Sequence, residues 1–295
     1  MQFLTIFTPT YNRENLLPRL YKSLCGQSNK DFIWLIIDDG STDGTRRLIE
    51  SYIHENPPFK IEYHYKENGG LHTGYNEAIN HLDTELCVCC DSDDWFPSEA
   101  VELINKTWLE FGSDECAGIV GLDCYADGTI IGEALPTDRY FDLNKLYIDG
   151  KLIGDKKVVV RSELYKRLPR MESINGEKNF NPNYLNVQIS EMYQWISLNE
   201  NLCFVEYQPE GMTANIYKQY RNSPNSFIRL RILYIGLREA TLLFKMRHVV
   251  HYDAECMLAG RFKDIFNTSS PDPILSVLLF PVGLLLYILV LLRTK

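Results

Sequence analysis

Leu86-Cys87-Val88-Cys89-Cys90-Asp91-Ser92-Asp93-Asp94 runs from a five-residue apolar stretch straight into three carboxylates. A short apolar run bounded by polar residues is the pattern of a buried strand. The acids therefore gather where that strand surfaces, and their mutual repulsion calls for something positive there. In an extended chain Asp91 and Asp93 project to one face, two residues apart, and reach one hard cation, or a cation and a sugar hydroxyl. The local alternative is a turn with helix N-cap duty, because Pro97-Ser98-Glu99 opens a helical pattern just downstream.

Upstream of this stretch, β-type runs at residues 3–8, 32–37 and 60–65 alternate with helical patterns over 15–24, 43–54 and 71–82. Leu16, Leu17, Leu20 and Leu24, for example, fall on one helical face. Such alternation predicts βαβ units on a mostly parallel sheet, with ligands at the carboxyl ends of the strands. Thr8-Pro9-Thr10-Tyr11-Asn12, Asp38-Asp39-Gly40-Ser41 and the Asp91 cluster all occupy such ends.

Downstream the pattern loosens between residues 112 and 211, with strand signals at 119–122 and 157–160 and a turn signal at Asn175-Gly176. Residues 224–265 read as amphipathic helix, with Arg229, Arg231, Arg238, Lys245 and Arg247 among aliphatics. Ser269-Ser270-Pro271-Asp272-Pro273 breaks the chain before an uncharged apolar run over 274–292. As a helix that run is about 28 Å long, barely enough to cross a bilayer. Pro281 and Gly283 would kink it, so membrane attachment is expected while spanning and in-plane arrangements both stay open.

Bulk properties narrow the function. The 295 residues, 45% of them hydrophobic, suffice for a large core, and a net charge of -9 argues against a non-specific nucleic-acid surface. A bound phosphate would have to be neutralised by a metal or a few basic groups. Of the eight cysteines, Cys87, Cys89 and Cys90 sit in the strand-like run and the rest are scattered, without the paired spacing of a zinc site. They read as reduced core residues. Met1-Gln2 leads directly into a strand pattern with no leader, so the main domain is expected on the cytoplasmic side.

Two loops carry further chemistry. Asp38-Asp39-Gly40-Ser41-Thr42-Asp43-Gly44 is a strand-to-helix loop in which a carboxylate can accept from the imide N–H of a uracil, with Tyr11 offering a flat ring for stacking. In Glu67-Asn68-Gly69-Gly70-Leu71-His72-Thr73-Gly74 the paired glycines let backbone N–H groups approach a phosphate at a helix N-terminus. His72, if protonated, adds a charge-assisted contact; as a lone histidine it equally suits a plain core or surface position.

Together, Phe7-Thr8-Pro9-Thr10-Tyr11-Asn12-Arg13, Ile37-Asp38-Asp39-Gly40-Ser41-Thr42-Asp43 and Asp91-Ser92-Asp93-Asp94-Trp95-Phe96-Pro97, with Asn68-Gly69-Gly70 between the last two, resemble the family 2 glycosyltransferases. The likeness covers about residues 1–110 and fades beyond. It implies a GT-A fold: an α/β, Rossmann-like mixed sheet flanked by helices, here followed by a helical extension and an apolar tail. It implies a nucleotide-sugar site at Thr8, Pro9, Tyr11, Arg13, Asp39, Gly69, Gly70, His72, Asp91 and Ser92. Thr8, Pro9, Tyr11 and Asp39 would hold the nucleobase, Asp91 the ribose side, and Asp93, with Asp91, a Mn²⁺ or Mg²⁺ ion bridging the diphosphate. The expected domains are a transferase domain over 1–215, divided near 110 into nucleotide-binding and acceptor-binding halves, a helical extension over 216–270 and a membrane-associating tail over 271–295.

Members of this family typically invert the anomeric centre with a base from a Glu-Asp pair in the second half, and no such pair occurs here. The candidates are Glu177 first, after the Asn175-Gly176 turn, then Glu191 in Ser190-Glu191-Met192-Tyr193-Gln194-Trp195, then Asp155 in Gly154-Asp155-Lys156. Glu206 to Thr213, with Lys218 to Arg221, is a candidate flap over the donor. The expected activity is transfer from a nucleotide-diphospho-sugar, a UDP-sugar above all, to a glycan or lipid-linked acceptor in surface polysaccharide synthesis at the cytoplasmic membrane face. A nucleotidyltransferase-like enzyme and a non-catalytic membrane adaptor retaining the pocket are the alternatives.

Overall fold

The computed structural model describes residues 2–208, 215–267 and 270–295, which form two compact units. The first comprises residues 2–170 and 187–206, the second 171–186 and the described residues from 207 onward. Residues 209–213 of the candidate flap and Ser269 of the breaker lie outside the described residues.

The first unit is built on one mixed sheet. Its strands are β1 (Leu4–Thr10), β2 (Phe32–Asp38), β3 (Lys60–Tyr65), β4 (Leu86–Cys89), β5 (Cys116–Cys124), β6 (Tyr140–Phe141), β7 (Lys156–Arg161) and β8 (Gln194–Phe204), in the spatial order β3-β2-β1-β4-β7-β5-β8-β6. The helices between them are α1 (Leu17–Cys25), α2 (Thr45–His54), α3 (Leu71–His81), α4 (Ala100–Phe111), α5 (Leu143–Ile148) and α6 (Ser162–Arg167), and α7 (Asn183–Ile189) runs from the second unit's residues into the first's. β3, β2, β1 and β4 are mutually parallel, as the βαβ pattern requires, and β5 and β8 run parallel to each other. β7 enters between β4 and β5 antiparallel to both, and β6 closes the far edge antiparallel to β8.

β1 and β2 are buried at every position because helices cover both faces of a parallel sheet. Leu17, Leu20 and Leu24 of α1 are fully buried against Ile6, Trp34 and Ile36, so the stripe read in the sequence faces the core. The sheet order also fixes where a ligand can enter. β2 lies on one side of β1 and β4 on the other, so the connections reverse direction there and leave a crevice at the carboxyl ends of β1 and β4. All eight cysteines are free thiols, and those of β4 sit in the core or beside it.

The second unit is helical: α8 (Ile216–Asn222), α9 (Pro224–Ile235), α10 (Leu242–Leu258), α11 (Phe262–Ile265) and α12 (Pro273–Arg293). The single amphipathic stretch read over 224–265 thus divides, because α9 ends at Gly236 and Thr241 starts α10 by accepting from the Phe244 N–H. Asp272 caps α12 by accepting from Leu275 N–H, and Pro281 stands inside that helix. Among the described helices α12 alone is long and apolar enough to cross a membrane.

Candidate active site

The β1 and β2 loops are bound to one another. Asn12 takes the left-handed conformation (φ 52°), a region Asn tolerates, and its Oδ1 accepts from Thr42 N–H at 2.8 Å. The Asn12 N–H donates to Ser41 Oγ, Arg13 N–H to Thr45 Oγ1, and Gly44 N–H to Glu14 Oε2. Above this lattice Tyr11 stays 46% exposed, with its ring available for stacking, and Arg13 is exposed beside it. Thr8 and Pro9 are different. Thr8 is fully buried and its hydroxyl accepts from the Trp34 indole N–H at 3.1 Å, while Pro9 is buried with Gly74 of α3 packed on it. The motif residues Thr8 and Pro9 therefore shape the strand from inside, and the surface they leave belongs to Tyr11.

Asp39 and the glycine loop, assigned by sequence to base and phosphate, meet each other. The buried Asp39 carboxylate accepts from Gly69 N–H at 2.9 Å, Gly70 N–H at 2.8 Å and the Lys66 ammonium at 2.5 Å. Lys66 also donates to Thr73 Oγ1, and Asn68 Nδ2 donates to the Asp39 carbonyl. Gly70 sits at φ 94°, where a side chain would be strained, so glycine is needed to turn both amides toward Asp39. The two glycine N–H groups expected to approach a phosphate are thus already committed to a carboxylate here. His72, in the first turn of α3, is 1% exposed and lies inside rather than on the ligand side.

The acid loop after β4 divides the same way. Asp91 is exposed, Ser92 buried, Asp93 half-buried and Asp94 buried. Burial and the neighbouring Asp91 push the Asp93 carboxyl above its ordinary value, with Arg13 and Arg19 pulling the other way. Asp94 turns inward, 3.7 Å from the Lys157 ammonium, which is also 3.8 Å from Asp123. Burial pushes Asp94 up to about 7 and Asp123 up to about 6. Burial disfavours the Lys157 charge too, yet Asp123 and Asp94 hold its pKa well above that of an ordinary lysine. The lysine therefore stays charged, and the two acids together carry less than two negative charges at neutral pH.

Arg19 of α1 fixes the outside of the loop. Its guanidinium donates to the Asp93 carbonyl and to Glu206, both at 2.5 Å, and lies 3.9 Å over the Trp95 ring. Trp95 in turn pairs with Phe204 at the end of β8 through two backbone hydrogen bonds.

Strand direction sorts the three candidate bases. Because β7 is antiparallel to β4 and β5, its first residues lie at the edge where β4 and β5 end, with Lys156 opposite Leu122. Asp155 precedes β7, is exposed, and its charge bears on Asp123, so it shares that edge with the acid loop. Glu191 precedes β8, which begins beside the start of β5; it is thus at the opposite edge, where its Oε1 accepts from Asn144 Nδ2 at 3.1 Å. Glu177, the first choice from sequence, is buried in the second unit. Its two oxygens accept from the N–H and side chains of Asn225 and Ser226 at 2.7–2.9 Å, closing the exposed amides at the start of α9. That is a helix cap, with its lone pairs already used.

Asp123, Lys157, Arg19 and Lys66 went unassigned in the sequence. Lys157 carried a signal, as a lysine opening an otherwise apolar β-type run, but nothing local to residue 157 reveals that Asp94 lies across from it. The donor set at Asp91 and Asp93 fits a hard divalent ion: two carboxylate groups two residues apart at a strand end, that of Asp93 partly desolvated and pushed up by burial and by the neighbouring Asp91. Among the described residues no group of three or more His, Cys, Asp or Glu is arranged to hold a metal, so its remaining ligands would be water and phosphate oxygens.

A family model described as glycosyl transferase family 2 matches residues 5–141. Glycosyltransferase GlyA of Streptococcus pneumoniae is 30% identical over 115 residues, covering 39% of this chain and 16% of its own length. A chondroitin synthase of Pasteurella multocida is 32% identical over 127 residues, covering 43% of this chain and 13% of its own. The match thus spans less than a fifth of either relative. In fold, the chain is similar to S. aureus TarS residues 1–349 solved with UDP-GlcNAc (TM-score 0.61, 18% identity, 86% of this chain and 72% of that one). It is also similar to the mannosyltransferase PcManGT of Pyrobaculum calidifontis solved with GDP-Man and Mn²⁺ (TM-score 0.56, 15% identity, 97% and 86%).

Proposed function

We propose that the chain, whose residues 5–141 match the model of glycosyl transferase family 2, moves a sugar from a UDP-sugar to a hydroxyl of a glycan or lipid-linked acceptor at a membrane, inverting the anomeric carbon. The observation that carries this reading is that Tyr11, Arg13, Asp91, Asp93 and Asp155 all lie at the end of the sheet where β1, β4 and β5 finish and β7 begins. Tyr11 stacks on the base, Asp91 meets the ribose, and Arg13 contributes positive charge toward the diphosphate. Asp91 and Asp93 would hold Mn²⁺ or Mg²⁺, which supplies charge neutralisation to the departing diphosphate.

Asp155 acts as the base, taking the proton from the acceptor hydroxyl as its oxygen attacks C1 and the bond to the diphosphate breaks. An exposed carboxylate suits that task better than Glu177, already spent on a helix cap, or Glu191 at the opposite edge. Lys157 and Asp39 position rather than react, the first holding Asp94 and the second the glycine loop. One relative is a chondroitin synthase by name, which supports a glycan acceptor.

Purified protein incubated with a panel of nucleotide sugars and Mn²⁺ should release nucleoside diphosphate from one of them, faster when a membrane extract supplies acceptor. Asp93→Ala should lower that rate by roughly 10²-fold or more. No release from any donor, or equal release from the variant, would sink the reading.

A further inference from the structure

The last helix divides sharply into two faces. Leu275, Leu279, Leu284 and Tyr287 of α12 pack on the cluster formed by α9 and α10, while Ile274, Leu278, Leu285 and Leu292 are 74, 68, 66 and 60% exposed. Ser276, Gly283 and Val290, seven residues apart, are buried along the inner seam. At Gly283 an added Cβ would stand 2.8 Å from the Asp253 side chain, so only glycine lets the helices come this close.

We propose that the helical unit docks on an anionic lipid surface with α12 lying in the plane of the interface, its outer aliphatic face in the acyl boundary, rather than crossing the bilayer. What α12 packs against excludes crossing in this arrangement. α10 carries Asp253 and Glu255, both buried, and Glu255 pairs with Arg231 of α9 at 3.2 Å. A spanning α12 would draw these ionisable groups to hydrocarbon depth, where charge is costly, or would have to abandon the seam. In the plane of the interface, the same polar groups stay above the acyl region and only the outer face enters it.

Charge selects the lipid. The second unit holds 12 Lys and Arg against 8 Asp and Glu, whereas the rest of the chain holds 18 against 31. Only the helical unit is drawn to anionic headgroups. Its basic residues flank α12 at both ends: Arg261 and Lys263 on and before α11, and at the other end Arg293, Lys295 and Arg221, whose guanidinium donates to the Thr294 carbonyl at 2.9 Å. Phe262 and Phe266, about half exposed, adjoin Phe280 of α12 with ring centroids 6.2 and 5.1 Å apart and add aromatic surface suited to an interface.

This deepens the membrane location in the proposed function but needs none of the transfer chemistry, so it is tested without donor or metal. The full chain is floated with vesicles of phosphatidylcholine alone or mixed with phosphatidylglycerol. Binding should require the anionic lipid, and Leu278→Asp with Leu285→Asp should weaken it by roughly tenfold or more, as should Arg293→Glu with Lys295→Glu. An unchanged far-UV circular dichroism spectrum and melting temperature show that the variants fold. Tryptophan placed in turn at Leu278, Leu285 and Leu292 should be quenched alike by lipids brominated near the headgroup. Deepest quenching at Leu285, with the other two shallow, would mean a spanning helix and overturn the proposal. So would absence of vesicle binding, or a lipid-free dimer that the aspartate variants dissociate, since the face would then belong to a second copy.

Discussion

In the first unit the apolar side chains point in and the acids collect at one sheet edge; in the helical unit ionisable groups are buried and a row of leucines faces out. Asp94 and Asp123 share one lysine beneath the acid loop, leaving Asp91 and Asp93 outward for a ligand. Arg231, Glu255 and His248 lie inside the helical unit, and burial, with Arg231 next, pushes His248 down to about 2, so it is neutral. The difference teaches that one chain builds two kinds of surface: carboxylates gathered at one end of the sheet over a buried lysine, and an aliphatic face along α12 over a buried ion pair.

The comparison can be broken most decisively at Asp155. If the sheet edge is the reacting side, Asp155→Asn should lower turnover by roughly 10²–10⁴-fold while UDP affinity holds. Normal turnover in that variant would remove the edge's claim to the base. Next comes the buried lysine. Lys157→Met leaves Asp94 and Asp123 without their counter-charge, at a cost of about 3–5 kcal/mol, and calorimetry should show the melting temperature falling by roughly 10 °C. An unchanged melting temperature would mean that both acids are already protonated and need no partner.

Glu177→Gln sharpens the contrast from the other side. Loss of the charged cap on α9 should cost about 1–2 kcal/mol, read as a shift in denaturant midpoint, with transfer rates close to wild type; loss of turnover without loss of stability would return the base to Glu177. The smallest effect is that of pH. Asp94 and Asp123 have folded pKa values raised to about 7 and about 6, so their contribution to stability is complete below about 4 and is lost as pH rises through 7. The melting temperature of wild type should accordingly rise on acidification from pH 7 to 5, and Asp94→Asn should flatten that slope. An equal slope in the variant would place the titration elsewhere.

Much of the parallel half of the sheet was legible because its signals are local. The run at 60–65 is β3 as read, and α3 starts at residue 71 as read, since strand and helix periodicity repeats within a few residues. β8 escaped notice: Gln194–Phe204 carries polar residues at Asn199, Glu200 and Asn201 where its register with β5 shifts, which breaks the alternation. At the site, Tyr11 and the acid loop could be found by type and position. Thr8 and Asp39 belong to the same motifs, yet one serves Trp34 and the other the glycine loop, partners 26 and more residues away.

The sequence by itself determined the order of strand and helix in the first 110 residues, the position of the three loops at strand ends, and the apolar length of α12. Hydrogen-bonding period, turn chemistry and hydrophobicity act over a few residues, and so are written in a few residues. Only the tertiary structure decided that β7 runs backwards, carrying Asp155 and Lys157 to the acid edge, that Glu191 lies at the other edge, and that Glu177 closes α9. Those outcomes depend on strand direction and on pairing between residues tens of positions apart, where burial of the whole core, rather than any local preference, selects the arrangement.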